Sequence, residues 1–273
     1  MTYFARERYG DSMYHRSIGD RMTPAVKGLI IANVAVFLLQ SLLARSAGGR
    51  FLVDWFGLVP RLAIGRGCLW QMVTYAFLHG NVIHILFNML FLYWFGCDVE
   101  AVFGTRRFLW FYFGAAVAGA VCFAGVFAAT GRWDTPAIGA SGAVMGVMVI
   151  AAIYWPNRII LAFFFFPMKL RTFVLLALGI DLYNEITHGA TGVAGLAHLG
   201  GAAYGYLYLR LEPWWRSFSA ALANRRAERG FHQSLRDEEE LDRILDKVHA
   251  EGMHKLNADE KRFLKRMSKR KRG

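Results

Sequence analysis

Gly139-Ala140-Ser141-Gly142 opens the apolar run AVMGVMVIAAIYW (143–155), which Pro156-Asn157-Arg158 stops. This run is apolar on every face, so it predicts a helix buried in a bundle or a bilayer rather than an amphipathic surface helix. A serine among small residues at the mouth of such a helix is unshielded, and another backbone can approach it closely. The pattern is not the G-x-S-x-G nucleophile elbow, because Ala143 stands where that turn needs glycine. Small residues at helical spacing also form packing seams between membrane helices. The rest of the chain separates a seam from a site.

Of 273 residues 55% are hydrophobic and only 19% are charged, and the apolar residues come in long blocks. That combination excludes an ordinary soluble domain and indicates a polytopic membrane protein. The predicted spans are 28–44, 82–103, 108–130, 139–155, 172–187 and 192–211, which makes the fold class all-α: a bundle of six transmembrane helices. Three regions follow: a basic arm over 1–27, a membrane domain over 28–211, and a small helical tail over 212–273. The arm carries Arg6, Arg8, Arg16, Arg21 and Lys27 and is long for a secretory signal. Ala44-Arg45-Ser46-Ala47 faintly resembles a cleavage site, but the first span is read as retained.

The connection 46–81 holds Trp55, Phe56, Trp70, Tyr75 and Phe77, and predicts a partly helical segment resting on the membrane interface. Residues 159–166 are apolar but too short to span, so they read as interfacial or strand-like. The arm, Arg106-Arg107, the Arg158/Lys169/Arg171 connection and the tail are all basic, and six spans place them on one side. The positive-inside rule makes that side the cytoplasm, with both termini there, although Arg45, Arg50, Arg61 and Arg66 depart from the pattern.

The formal charge is +12, and residues 213–273 contribute 16 Lys/Arg against 10 Asp/Glu. With no nucleic-acid-binding motif present, this excess suits anionic headgroups of the lipid bilayer rather than nucleic acid. Residues 213–236, with Trp214, Trp215 and Phe218, read as a basic amphipathic stretch. Leu241, Ile244, Leu245 and Val248 then share a helical face, Gly252 breaks it, and Asn257-Ala258-Asp259-Glu260 resembles a capping box. Cys68, Cys97 and Cys122 have no paired or metal-type spacing. No H-E-x-x-H occurs, and His79 and His84, five apart, point to different helix faces, so no metal and no cofactor are expected.

The second, fourth and sixth spans all run inward from the outer side. His84 and Asn88 lie near the start of the second and share a face. Ser141 opens the fourth, and His198 lies roughly 9 Å below Gly192 in the sixth at 1.5 Å per residue. Four polar side chains therefore sit at similar shallow depth. Gly195, Ala197, Gly200, Gly201, Ala202 and Gly205 give the sixth span a thin face that suits close contact with the fourth. A serine nucleophile with a histidine base follows as the chemical reading. Asp181, Asn184 and Glu185 in the fifth span read as structurally paired, a carboxylate costing roughly 2.5–3.5 kcal/mol at mid-bilayer on insertion scales.

Gly139-Ala140-Ser141-Gly142, His79-x4-His84-x3-Asn88 and Ala197-His198-Leu199-Gly200-Gly201 resemble the signature set of the rhomboid intramembrane serine proteases. Trp94-Phe95-Gly96-Cys97-Asp98-Val99-Glu100 and Phe103-Gly104 resemble the segment closing that family's second helix. The resemblance runs from about Lys27 to Leu211. It implies Ser141 as nucleophile and His198 as base and then acid, without an acidic third member. It further implies that the Ser141 N–H, His84 and Asn88 stabilise the oxyanion, and that His79 is structural. Two positions depart: Met145 stands where the family often has an aromatic residue, and Trp70-Gln71 where it has Trp-Arg.

The expected activity is serine endopeptidase cleavage of transmembrane protein substrates that unwind near the outer leaflet, in a bacterial inner membrane. The alternatives are a catalytically inactive relative that binds membrane clients, and a transporter using Asp181 or Glu185. Residues that bind the substrate are not readable from the sequence.

Overall fold

The computed structural model describes residues 22–44, 47–162, 165–188 and 193–272. Most of the basic arm, Arg45-Ser46 of the cleavage-like stretch and the loop at 189–192 lie outside the described residues. The chain divides into two compact units, Met1–Arg210 and Leu211–Gly273.

The first unit begins with α1, Pro24–Leu43. Proline at its first position suits a helix start, since that N–H has no intrahelical partner anyway. The remaining free donors go to a carboxylate from another span. Glu100 accepts Ala25 N–H and Val26 N–H, both at 2.9 Å, together with the hydroxyls of Thr23 and of Thr105, the latter at 2.7 Å. Glu100 is 2% exposed, so this buried acid caps α1. Glu100→Ala leaves two buried N–H groups without a partner. We expect a loss of about 3 kcal/mol, at roughly 1–3 kcal/mol per orphaned group, read as a lowered midpoint of thermal unfolding in detergent.

Three short helices follow in the first loop: α2 (Ala47–Phe56), α3 (Pro60–Ala63) and α4 (Gln71–Thr74), the last running into a 3-10 turn at Tyr75–Phe77. The loop is thus partly helical, as expected. Gln71 is buried and ties it together. Its amide donates to Asp54 O at 3.1 Å and Trp55 O at 3.3 Å, and its oxygen accepts Val59 N–H at 3.1 Å. Trp70 donates to Trp55 O at 2.9 Å and stacks on the Trp55 ring. A glutamine at this place therefore anchors the loop through its amide.

The second span comprises α5 (Val82–Phe91), a π-helical turn (Leu92–Gly96) and α6 (Cys97–Phe103). Gly96 sits in the π turn, where the Cβ it lacks would lie 3.0 Å from Val26, so α1 packs against this point. Gly104, at φ +76°, breaks the chain between this span and α7 (Thr105–Ala129). Phe108, Phe111, Tyr112, Phe123 and Phe127 of α7 are buried and form much of the core.

α8 (Ser141–Tyr154) is the central element, buried from Gly142 to Ala152. An antiparallel pair, β1 (Ile159–Ala162) and β2 (Phe166–Lys169), matches Leu161 with Pro167. The strand-like reading of this apolar segment was right. α9 covers Leu170–His188, and α10 covers Val193–Glu251.

Pro24–Leu43, Val82–Phe103 and Thr105–Ala129 are long and apolar enough to cross a bilayer by length and composition. Ile31, Leu38 and Leu42 on α1 and Leu175, Ile180 and Ile186 on α9 are exposed, as side chains facing lipid would be. Two helix bounds differ from expectation. The fourth span starts at Ser141, because Gly139 holds φ +130°, and it is 14 residues, shorter than a spanning length. The sixth does not stop near Leu211. Pro213 lies inside the helix, and the break comes only at Gly252, with φ +85°.

In the second unit α10 ends at Glu251 and a 3-10 turn (Met253–Lys255) leads to α11, Ala258–Arg272. The capping box closes reciprocally. Glu260 N–H donates to Asn257 Oδ1 and Asn257 N–H to Glu260 Oε2, both at 2.8 Å, which satisfies two otherwise free donors. Lys247 reaches the same carboxylate at 3.1 Å, and Ile244 and Leu256 are buried. The amphipathic reading of 213–236 rests on side chains largely outside the described ones.

Candidate active site

The site is assembled at the start of α8. Ala140 O accepts Val144 N–H at 3.0 Å as the first turn closes. The N–H groups of Ser141, Gly142 and Ala143 thus have no partner within the helix, and they carry its positive dipole end. The chain reaches this point along a fixed path. Leu58 and Ala137 exchange backbone hydrogen bonds at 2.9 Å, and Gly139 N–H donates to Tyr75 O at 2.9 Å. Arg61 forms a two-pronged ion pair with Asp134 at 2.5 and 2.6 Å. The first loop is thereby joined to the segment before Ser141.

Gly139 is required twice over. Its φ of +130° disfavours any side chain, and the Cβ it lacks would lie 2.7 Å from both Cε1 and Nε2 of His84. That same point is 3.7 Å from Ser141 Oγ. The His84 imidazole and the Ser141 hydroxyl therefore flank one small space, kept open by a missing methyl group.

His84 is set by its helix cap. Asn81 accepts His84 N–H at 2.8 Å as the N-cap of α5, a role asparagine fills well. Gly80 N–H approaches His84 Nδ1 at 3.5 Å. With Nδ1 accepting, the neutral ring carries its proton on Nε2, the nitrogen facing Gly139 and Ser141. Asn88 is one turn further along and 5% exposed, and its Nδ2 donor has no hydrogen-bond partner among the described residues. A dry amide without a partner is uncommon. It is suited to receiving an oxygen that arrives with substrate.

His79 precedes the Asn81 cap. Its ring meets the His84 ring edge to face, with centroids 5.0 Å apart. The two histidines do not diverge as their spacing on one helix implied, because His79 lies outside the helix. Burial first, and the neighbouring His84 second, push the His79 pKa down to about 4, so its ring is neutral near pH 7. Its backbone N–H donates to Gln40 Oε1 of α1 at 3.0 Å, so this polar side chain of the first span faces protein.

His198 reaches the site through glycine contacts between α8 and α10. The Cβ that Gly142 lacks would lie 3.0 Å from Ala197 O, and the one Gly146 lacks 2.9 Å from Gly201 O. For Gly205 the corresponding distance to Gly146 O is 2.7 Å. The two backbones are in contact, and the residues next to Ser141 and His198 touch. His198 Nε2 is buried and has no hydrogen-bond partner among the described residues, so it is not bonded to Ser141 Oγ here. In ligand-free sites such bonds are often long and tighten only with substrate. Met145, one turn after Ser141 on α8, is buried.

One expectation is corrected. The sequence reading gave His198 no acidic partner, yet His198 Nδ1 lies 2.9 Å from Asp181 Oδ2 of α9. Asp181 is paired, as its place in an apolar span required, but its partner is the histidine of the site. The spacing of 17 residues across an interhelical loop carries no motif. The one signal available was a carboxylate in a span with no basic residue at helical spacing to pair it.

The family model described as "Rhomboid domain" matches residues 66–213, and a second, "Family of unknown function (DUF6576)", matches residues 233–270. Among relatives, "RHOMBOID-like protein 12, mitochondrial" of Arabidopsis thaliana is 31% identical over 72% of this chain and 60% of its own length. "Presenilin-associated rhomboid-like protein A, mitochondrial" of Danio rerio is 31% identical over 67% of this chain and 46% of its own. "Rhomboid protease GluP" of Bacillus subtilis (strain 168) is 28% identical over 67% of this chain and 34% of its own. The chain thus spans between a third and three fifths of the length of these relatives.

Proposed function

Because the chain belongs to the rhomboid family, we propose that it is an intramembrane serine endopeptidase, with Ser141 as nucleophile and His198 as its base. The observation that carries this is the pair of buried atoms without a hydrogen-bond partner among the described residues: Asn88 Nδ2, a donor, and His198 Nε2, an acceptor. The helices that carry them contact α8, which opens on the half-buried Ser141, and a donor and an acceptor are the two capacities acyl transfer needs.

In this reading His198 Nε2 takes the proton from Ser141 Oγ as the oxygen attacks the substrate carbonyl carbon. The new oxyanion is received by the Ser141 N–H, by His84 Nε2–H and by Asn88 Nδ2–H. His198 then gives its proton to the departing amine, and the peptide C–N bond breaks. A water, deprotonated by the same nitrogen, releases the acyl group and restores the serine. No step draws on a cofactor.

The substrate class is a membrane protein whose spanning segment unwinds near the outer leaflet, since peptide bonds inside a helix are hydrogen-bonded and shielded. We further infer a bacterial inner membrane as the location, with both termini cytoplasmic. The basic connections on one side of the six spans support that orientation, and relatives named for mitochondria make the organelle membrane the alternative.

A serine-directed fluorophosphonate tests the reading directly. The wild-type protein in detergent is expected to be labelled at Ser141, with labelling lost in His198→Ala, where the serine remains but its base is gone. Equal labelling of the wild type and of a heat-denatured sample would mean that no activated serine exists.

A further inference from the structure

We propose that Asp181 is a positioning residue for His198, so that the site works as a serine–histidine–aspartate relay drawn from three separate spans. The inference rests on the reading of Ser141 and His198 as nucleophile and base. Asp181 Oδ2 is 2.9 Å from His198 Nδ1, and the two side chains are only 20% and 17% exposed. An ionised carboxylate only accepts hydrogen bonds, so Nδ1 must carry the ring proton. That leaves Nε2 with its lone pair, and Nε2 is the buried nitrogen without a hydrogen-bond partner among the described residues. The tautomer needed in a base is thus imposed from behind the ring.

The helices are shaped for this contact. Gly195 stands three residues before His198, hence on the same face of α10. The Cβ that Gly195 lacks would lie 3.4 Å from Asp181 O and 3.6 Å from Asp181 Cβ. α9 therefore rests on the bare side of α10 at the level where Asp181 projects toward the imidazole. A carboxylate in an apolar span is expensive unless partnered, and here its partner is the base. When His198 gains the serine proton, the adjacent negative charge stabilises the imidazolium. Asparagine in its place offers an amide N–H as well as a carbonyl, and so neither imposes one tautomer nor stabilises the cation.

The experiment compares wild type, Asp181→Asn, Asp181→Glu, Glu185→Gln and Ser141→Ala. All are purified full length and assayed on a transmembrane substrate in proteoliposomes. We expect Asp181→Asn to lower kcat by about a hundredfold or more, as loss of the orienting acid does in soluble serine proteases. KM is expected to change by less than about threefold, and Asp181→Glu to restore part of kcat. Glu185→Gln, one turn along α9, is expected to stay within about twofold, since its carboxylate does not bond His198. Wild-type kcat in Asp181→Asn, or an equal fall in Glu185→Gln, overturns the role of Asp181. Full activity in Ser141→Ala overturns the protease reading instead. Should Asp181→Asn fail to fold, the 15N spectrum of histidine-labelled wild type decides, with the His198 signals identified by their loss in His198→Gln. A proton on Nδ1 at neutral pH supports the proposal, and a proton on Nε2 alone overturns it.

Discussion

Ser141→Ala is expected to abolish cleavage of a transmembrane substrate in proteoliposomes, with at least about a 10⁴-fold fall in kcat/KM. His198→Ala is expected to fall as far, and the double variant little further, because nucleophile and base act as one unit and their losses do not add. Ser141→Ala has no large structural reason to unfold the protein, whereas His198→Ala strips Asp181 of its partner. Ser141 is half-buried between Ala140 and Gly142, and its hydroxyl is not tied to His198 Nε2. The thermal midpoint of Ser141→Ala in detergent should therefore stay within a few degrees of wild type, so its lost activity reads as lost chemistry. Equal product from wild type and both variants would leave a client-binding relative as the remaining reading.

Gly201→Val is expected to have the second largest effect, on both activity and stability. Even the first carbon of a side chain at residue 201 would overlap the Gly142 carbonyl oxygen and sit 2.7 Å from its carbonyl carbon. Backbone is on the other side of the contact, so no rotamer change relieves the overlap. α8 and α10 must separate, and with them Ser141 and His198, which stand one and three residues from the clashing positions. A shift of about 1 Å between reacting groups suffices for a loss near a hundredfold, and overpacking of this kind costs roughly 1–3 kcal/mol or more. Gly125→Ala, at a position with nothing within reach of the added carbon, is the control and is expected to keep wild-type activity. Retained activity in Gly201→Val would mean that the interhelical contact does not govern the site.

The parts of the site legible in the sequence are those carried by local spacing. His84 and Asn88 share a face because they are four apart, and Asn81 caps their helix three residues before His84. The Asn257–Glu260 box closed for the same reason. The parts that were not legible join distant segments. Glu100 caps a helix more than seventy residues away, Gln71 holds a loop by accepting and donating at once, and Asp181 reaches His198 from another span. Departures such as Gln71 invited doubt only because a residue type was compared without the partners it finds.

The sequence by itself determined that this is a membrane helix bundle of the rhomboid family, and which serine and histidine are the candidates for its site. Apolar length against bilayer thickness and short-range motif spacing are enough for both. Only the tertiary structure decided how far α8 and α10 approach, where the bent chain puts His79, and that a carboxylate from α9 stands behind the base. Those outcomes depend on the rotation and height of each helix relative to its neighbours. Both are set by side-chain packing across the bundle, and no pattern within a single helix records them.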